Sequence, residues 1–556
     1  MTLPRAGTAV EGEAGGGVGT RMISLCIQPR DIAGHWRFAE GAWRSGSSFV
    51  APFAHPILQT TMVEAPEARL ILVREDPAGS GRGHHPTLSA DLPAAEVLDR
   101  LAAWPFNIQL VVLPRDGATV TVATGRGATA PLFLTSTDGV LAAEWDVAAL
   151  YPRLSGDFDL GRTAYALSWL ALPYGSATIF PNVLHLTERA SVHWDAAEGR
   201  LSVDYPRPLR RHVPRRLHAD ADPVAAFDKL FASILRRAVG NHEGAIATEV
   251  SGGLDSGVAT LVAADALGVA RVKSFGLLLP GPQMPSQAAR REALTALAGV
   301  SDTAILARPP YSSPEIADDL IVPWGEYYRE AFRALGEAMA GQGCSTLVRG
   351  IGGDEISEMT ASEAATAPPA APEEKAECAG LPGYLTDDAR KAAADVEDHL
   401  VPAPPAHAAP SFYSGAAASA PVYMRRGIWP IYPYGAPELV AFCRSLPQSW
   451  REDRRLQRAF LARRGLPDWV VRPDPPESFL PVRDGMFEPP QSDSVRALFT
   501  EPVLAELGLV DGPRLRAAFE RAVAEPEAPG RTQLMEAAGL ETLARTWRRP
   551  ASPMGP

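Results

Sequence analysis

Glu249-Val250-Ser251-Gly252-Gly253-Leu254-Asp255-Ser256-Gly257 reads as the end of a buried strand turning into a helix. Before it, Ala245–Val250 is short, mostly apolar and tolerant of β structure. After it, Gly257–Leu267 is apolar almost all round, the pattern of a helix packed on both sides. Two glycines let the backbone approach a ligand closely and turn successive N–H groups the same way. The helix N-terminus adds its positive dipole end, so the bend attracts an anion. Hydroxyls of Ser251 and Ser256 suit phosphate oxygens, and Asp255 suits the Mg²⁺ that accompanies them. The competing reading is a plain Gly-Gly turn before a core helix.

Working outward, helical stretches at Pro223–Ala238 and Gln287–Ala298 alternate with strand-like runs at Val272–Leu279 and Ser345–Arg349. That alternation predicts a parallel sheet with helices on both faces, and ligands beyond the carboxyl ends of its strands. A second glycine turn, Gly350-Ile351-Gly352-Gly353-Asp354-Glu355, follows the run at 345–349. If the two strands are neighbours, Asp255 and Asp354 face one crevice and share a metal; the competing reading of Asp354 alone, the lesser one, is a helix N-cap carboxylate.

Residues 1–21 are Gly-rich and without periodicity, a disordered tail, and Met22 is as good a start as Met1. From 22 to 205, short apolar segments such as Ile23–Ile27, Leu70–Val73, Ile108–Leu113, Val120–Ala123 and Val140–Trp145 predict a β-rich domain. Residues 206–556 form the α/β unit, with an Ala/Pro-rich flexible insertion at 360–421 or a mobile lid there. Further helices are expected at Pro437–Arg444, Arg454–Arg464, Ser494–Leu507 and Pro513–Val523.

At 556 residues, two or three domains with ample core are expected. No apolar run is long enough to span a bilayer and no secretory leader is visible, so a cytoplasmic protein without a membrane partner is expected. Four scattered cysteines include no C-x-x-C pair, which excludes a zinc ribbon or disulfide framework. A net charge of −12 argues against nucleic acid.

The spacing S-G-G-x-D-S resembles the pyrophosphate loop of the N-type ATP pyrophosphatases and is not a Walker loop, since no G-K-[ST] follows. Taken with G-I-G-G-D-E, it is similar to the synthetase domain of the asparagine synthetases. The likeness reaches outward to Pro131-Leu132-Phe133, Thr178-Ile179-Phe180-Pro181-Asn182-Val183 and Pro437-Glu438-Leu439-Val440. It implies an α/β chain: a β-rich sandwich like the N-terminal nucleophile hydrolases, then a parallel-sheet ATP-pyrophosphatase domain with a helical C-terminal part. The implied chemistry is ATP- and Mg²⁺-dependent activation of a carboxylate as an acyl-adenylate, followed by capture by an amine. On that resemblance Ser251, Gly252, Gly253, Leu254, Asp255 and Ser256 hold the pyrophosphate. Gly350, Ile351, Gly352 and Gly353 line the opposite wall, and Ser274, Phe275 and Gly276 line the adenine side. Asp255 and Asp354 hold the metal and, with Arg472, carry catalysis.

The departures narrow the function. Asparagine synthetases hydrolyse glutamine with a cysteine directly after the initiator Met, whose free amine is the base. Here position 23 is isoleucine, and Cys26, inside a strand-like run, reads as core packing. The N-terminal domain is then a degenerate glutaminase, and glutamine-derived ammonia is not the nucleophile. Ile351 stands where the asparagine synthetases have glutamate and the β-lactam synthetases tyrosine, so no acid or base is available there. The family's late lysine is missing from Leu466–Phe479, where Arg472 offers the charge. Relatives lacking the cysteine include lasso-peptide cyclases, β-lactam synthetases and amide ligases of natural-product pathways. A preheld amine needs less base catalysis, which favours macrolactam closure in a peptide, with a leader-peptide-binding protein and a protease as implied partners. A small-molecule carboxylate substrate is the alternative, and a catalytically inactive scaffold is the alternative of another class. NAD and GMP synthetases share the first motif without the second.

Overall fold

The computed structural model describes residues 23–76, 86–102, 104–209, 213–308, 329–358, 380–474 and 478–548. The expected tail at 1–21 lies outside them. Strict alternation sets the N-terminal layers. Ile23, Leu25 and Ile27 of the Ile23–Ile27 strand are fully buried, as the period of two requires when one face is covered. That strand sits inside a seven-stranded sheet between Val140–Glu144 and Ser48–Pro52, both antiparallel to it. A second seven-stranded sheet covers it, contributing Met62, Ile71, Val73, Val111, Leu113, Val120 and Val122 to the shared core. Each such aliphatic side chain contributes roughly 1.5–3 kcal/mol on burial. Trp43 ties the layers by donating its indole N–H to Thr60 Oγ1 at 2.8 Å.

Cys26 has the opposite parity, which corrects its reading as core. It lies half-buried on the outer face of its sheet, with Arg153 Nη2 3.6 Å from its sulfur.

The second layer system is a five-stranded parallel sheet in the order Ser301–Leu306, Val272–Leu278, Ala245–Glu249, Cys344–Val348, Trp429–Ile431. Both faces are covered. Ile246 and Val348 pack with Val258, Leu261 and Val262 of the Leu254–Leu267 helix, whereas Ala247, Phe275 and Leu347 pack with Leu335 and Met339 of the Arg329–Gly341 helix. The Leu254–Leu267 helix is apolar all round because its opposite side meets the Pro223–Val239 helix and the Arg455–Arg463 helix. The chain is thus mixed α/β, with antiparallel sheets, a parallel sheet and a helical C-terminal part. Among the described residues no helix is long and apolar enough to cross a membrane.

Two expectations are corrected. Residues 360–379 lie outside the described residues, but the remainder of the supposed insertion is helical, at Asp387–Glu397 and Pro410–Met424. Alanine is the best helix former, Pro410 occupies the first turn where its missing N–H is harmless, and Phe412, Tyr413 and Tyr423 anchor the helix in the core. The single helix expected at Ser494–Leu507 is two, Gln491–Leu498 and Val503–Glu506, because Pro502 between them offers no N–H. The long Arg531–Arg548 helix has too weak an apolar stripe to be read from sequence.

Candidate functional site

The Ala245–Glu249 strand has Val272–Leu278 on one side and Cys344–Val348 on the other. Strand order reverses between Ala245–Glu249 and Cys344–Val348, and at such a point the connections leave a crevice beyond the carboxyl ends. Both glycine bends begin there. Gly252 has φ +98°, a conformation that glycine adopts without strain. The bend is curled on its own hydroxyls. Ser256 Oγ accepts from the Ser251 N–H at 3.1 Å, Ser251 Oγ accepts from the Gly253 N–H at 3.1 Å, and the two hydroxyl oxygens are 3.0 Å apart. Leu254, 4% exposed, starts the helix and anchors it.

The bend is braced from behind by residues that the sequence did not single out. Gln287 donates to Ser251 O at 2.8 Å, and Arg290 Nε donates to Gly252 O at 3.2 Å. Both sit on the Met284–Ala298 helix, three residues apart and nearly fully buried. Two long polar side chains at that spacing, in a helix otherwise read only as cover, were the available signal.

Glycine is needed where the bends touch. A Cβ on Gly350 would lie 2.8 Å from Ser256 N, and one on Gly353 would lie 2.2 Å from Asp255 Cγ. Gly352, at φ +100°, lets the turn pass Tyr434 and Phe412. This contact brings Asp255 and Asp354 together. Arg454 spans them, with Nη1 3.2 Å from Asp255 Oδ2 and Nη2 paired with Asp354 Oδ1. Gln457 donates to Gly353 O at 2.9 Å, and the Tyr434 hydroxyl donates to Asp255 O at 3.1 Å. Burial first, and then the charge of Asp354, push the Asp255 carboxyl up to about 8, with Arg454 pulling against them. Asp453 and Arg454 are consecutive non-glycine residues at φ 51° and 50°, backbone strain of the kind that collects at functional sites.

The donor set fits a hard divalent ion. Two carboxylates already share one cation, the Arg454 guanidinium, and Mg²⁺ is commonly held by one or two carboxylates with phosphate and water oxygens completing its shell. Among the described residues no group of three or more His, Cys, Asp or Glu side chains is placed to hold a metal. An ion here therefore draws most of its shell from phosphate oxygens and water.

Other expected residues lie elsewhere. Ser274, Phe275 and Gly276 are inside the Val272–Leu278 strand rather than at its end. Ser274 is 1% exposed and donates to Asp302 Oδ1 at 2.8 Å, and Phe275 is in the core. A Cβ on Gly276 would strike Arg291 Nη1 at 1.6 Å and Val250 O at 2.1 Å, so packing against the buried Arg291 and the neighbouring strand requires that glycine. Arg472 is 57% exposed and pairs at 3.1 Å with Asp453, the residue before Arg454, and not with either aspartate of the bends. Ile351 packs against the core beside Gly415. Glu249, whose role the sequence left open, accepts from Arg349 Nε at 2.7 Å and from the Tyr423 hydroxyl, a buried brace under the second bend. Trp429, Tyr432 and Tyr434 are buried, and Arg425 is an interlayer strut bonded twice to Asp146.

No known protein family matches the chain, and no curated protein does. Among solved structures, it is similar to a glutamine-dependent NAD+ synthetase from Acinetobacter baumannii in complex with adenosine diphosphate. That similarity has 13% identity and a TM-score of 0.18, over 37% of this chain and 41% of that one. The chain thus spans about two fifths of that synthetase, and a likeness so low fixes neither fold nor activity.

Proposed function

We propose that this chain is an ATP-dependent carboxylate–amine ligase of the AMP-forming kind. A carboxylate oxygen of the substrate attacks the α-phosphorus of ATP, the bond from that phosphorus to the bridging oxygen breaks, and pyrophosphate leaves. An amine nitrogen then attacks the acyl carbon, the acyl–oxygen bond breaks, AMP leaves, and the amine proton passes to water. The observation that carries this reading is the meeting of Asp255 and Asp354, through glycine contacts, at the reversal point of a parallel sheet.

The chain's own groups suit the first step. The N–H groups of Ser251 and Gly253, now satisfied by hydroxyls, sit beside the N-terminus of a buried helix, where an incoming phosphate oxygen can replace the hydroxyls. Asp255 and Asp354 would hold Mg²⁺, which when bound neutralises charge on the leaving pyrophosphate. Arg454, displaced from the carboxylates, reaches the same phosphates.

The N-terminal layers, read as a degenerate domain of residues 22–205, serve as scaffold, because Cys26 carries no free amine and faces Arg153. Ile351 supports an amine held beside the acyl group rather than one activated by a base, as in macrolactam closure of a peptide delivered by a leader-binding protein. A second reading, ligation of a separate small acid, is favoured by a cleft of about 400 Å³ whose lining residue Ser411 also donates to Glu355 at the second bend. The test is exchange of labelled pyrophosphate into ATP with Mg²⁺ and a panel of carboxylates, run beside Asp255→Ala. Exchange that needs a carboxylate and is lost in the variant supports the ligase; no exchange with any acid or peptide supports a scaffold.

A further inference from the structure

The cavity of about 400 Å³ lies between the layers, where the Leu160–Trp169 helix, the Pro410–Met424 helix and the Arg531–Arg548 helix converge. Its walls include Leu167, Leu172, Ile179 and Leu540. The Pro410–Met424 helix presents only small side chains to it, Ser411, Ser414, Gly415 and Ala418, at the i, i+3, i+4, i+7 positions of one face. Its opposite face carries the large anchors, Phe412 among them, and is buried in the core. Bulk has therefore been excluded from one side of a helix whose other side is tightly filled.

The same small face touches the catalytic turn. Ser411 Oγ donates to Glu355 Oε1 at 3.1 Å, beside Asp354, and Gly415 sits 3.8 Å from Ile351 Cγ2 when given a Cβ. The cavity and the second bend thus share a wall. On the far side Leu170 holds the left-handed conformation, φ 64°, unusual for a branched residue and placed at the lining.

The lining says what would fit. Among the described residues it contains no lysine or arginine. His185 is stacked on Phe133 with ring centroids 5.1 Å apart, and burial lowers its basicity to about 4, so it is neutral. Glu536 is the one acidic side chain among the described lining residues, and Arg329, outside that lining, interacts with it electrostatically. A second carboxylate or a phosphate against the apolar walls would find no cation among the described lining residues and would meet Glu536, which makes its burial there unfavourable. At about 30 Å³ per water-sized group, the space holds on the order of a dozen non-hydrogen atoms.

From this juxtaposition we infer that the cavity receives the uncharged aliphatic or aryl body of a monocarboxylic acid whose carboxylate is activated beside Asp354. The inference rests on the ligase reading and names its acid. Ile351, at the junction, is then a wall of the acid site rather than a missing base, and specificity is set by length and shape.

The test uses octanoate and 3-phenylpropanoate as probes, with succinate and aspartate as charged counterparts, on the full chain and on Ala418→Phe and Ser414→Phe. Both substitutions stand on the small face, outside the anchored core. Binding followed by calorimetry without ATP is expected for the apolar acids and not for the charged ones. Filling the cavity should weaken octanoate binding about tenfold for every two methylene groups displaced, while ATP binding is unchanged. In pyrophosphate exchange the preferred acid should become shorter in both variants. Equal binding of succinate or aspartate, or octanoate binding that neither variant alters, overturns the inference. Exchange that requires aspartate and ignores both substitutions would leave the ligase standing and remove this acid site. Octanoate binding lost in the variants, with no exchange by any acid, would keep the acid site and remove the ligase.

Discussion

Asp255 is placed where it opposes folding, and replacing it by asparagine should stabilise the protein while abolishing its activity. Its carboxyl is raised from an ordinary 3.8 to about 8 because burial strips its solvation and Asp354 lies beside it. The folded state therefore holds a proton that the unfolded chain releases. Stability attributable to this group is fully present below about pH 4 and is lost as pH rises through about 8. At full value such a displacement is worth on the order of 5 kcal/mol. The side chain keeps 15% exposure and shares its titration with Asp354, so the expected gain for Asp255→Asn at pH 9 is about 1–3 kcal/mol. The assay is thermal unfolding of both proteins from pH 5 to 9. The Tm difference should be small at pH 5, roughly a quarter of its full size, and grow to roughly 1–3 °C in favour of Asn at pH 9. Mg²⁺ with ATP at a hundredfold excess over Kd should stabilise only the wild type, by about 2.7 kcal/mol. A difference that does not change with pH, or an asparagine variant less stable at pH 9, would refute the placement of the two carboxylates.

Gly353→Ala puts a methyl 2.2 Å from Asp255 Cγ, whereas Gly350→Ala puts one 2.8 Å from the backbone nitrogen of Ser256. The first should fold with Asp255 displaced and pyrophosphate exchange down about a hundredfold, for about 1–3 kcal/mol; the second, against backbone that cannot swing aside, should cost more in denaturant titration. Arg454→Ala frees both carboxylates from their shared guanidinium, so calorimetry should find tighter Mg²⁺ binding without nucleotide, together with slower pyrophosphate release. Arg472→Ala, removing an exposed pair with Asp453, should change exchange by less than about threefold. His55 is buried, bonded to Ser345 O at 2.8 Å and lowered to about 4 by burial. The unfolded chain therefore takes up the proton between pH 6.5 and 4, so this histidine lowers stability by up to about 3 kcal/mol as pH falls through that range, and His55→Gln should flatten that slope in acid unfolding.

Local chemistry was legible where a residue type has one structural use. The glycines of both bends, the alternation of Ile23, Leu25 and Ile27, and the all-apolar Leu254–Leu267 helix each state their surroundings in their own spacing. They were enough for a parallel sheet with a glycine bend at a strand end, and for pairing Asp255 with Asp354. Residues whose role depends on distant partners were not legible. Arg454 and Gln457 look like any charged helix start until the chain folds them onto Asp255, and Arg472, a few turns away by sequence, falls on Asp453 instead. Ser274 to Gly276 were misplaced because a strand's last residue depends on its neighbours' lengths. The cavity belongs to three helices from separate parts of the chain, and the last, Arg531–Arg548, gave no signal of its own. Spacing along a chain fixes which groups share a turn or a face, but a site's electrostatics and volume arise from atoms far apart in sequence, which only tertiary packing brings together.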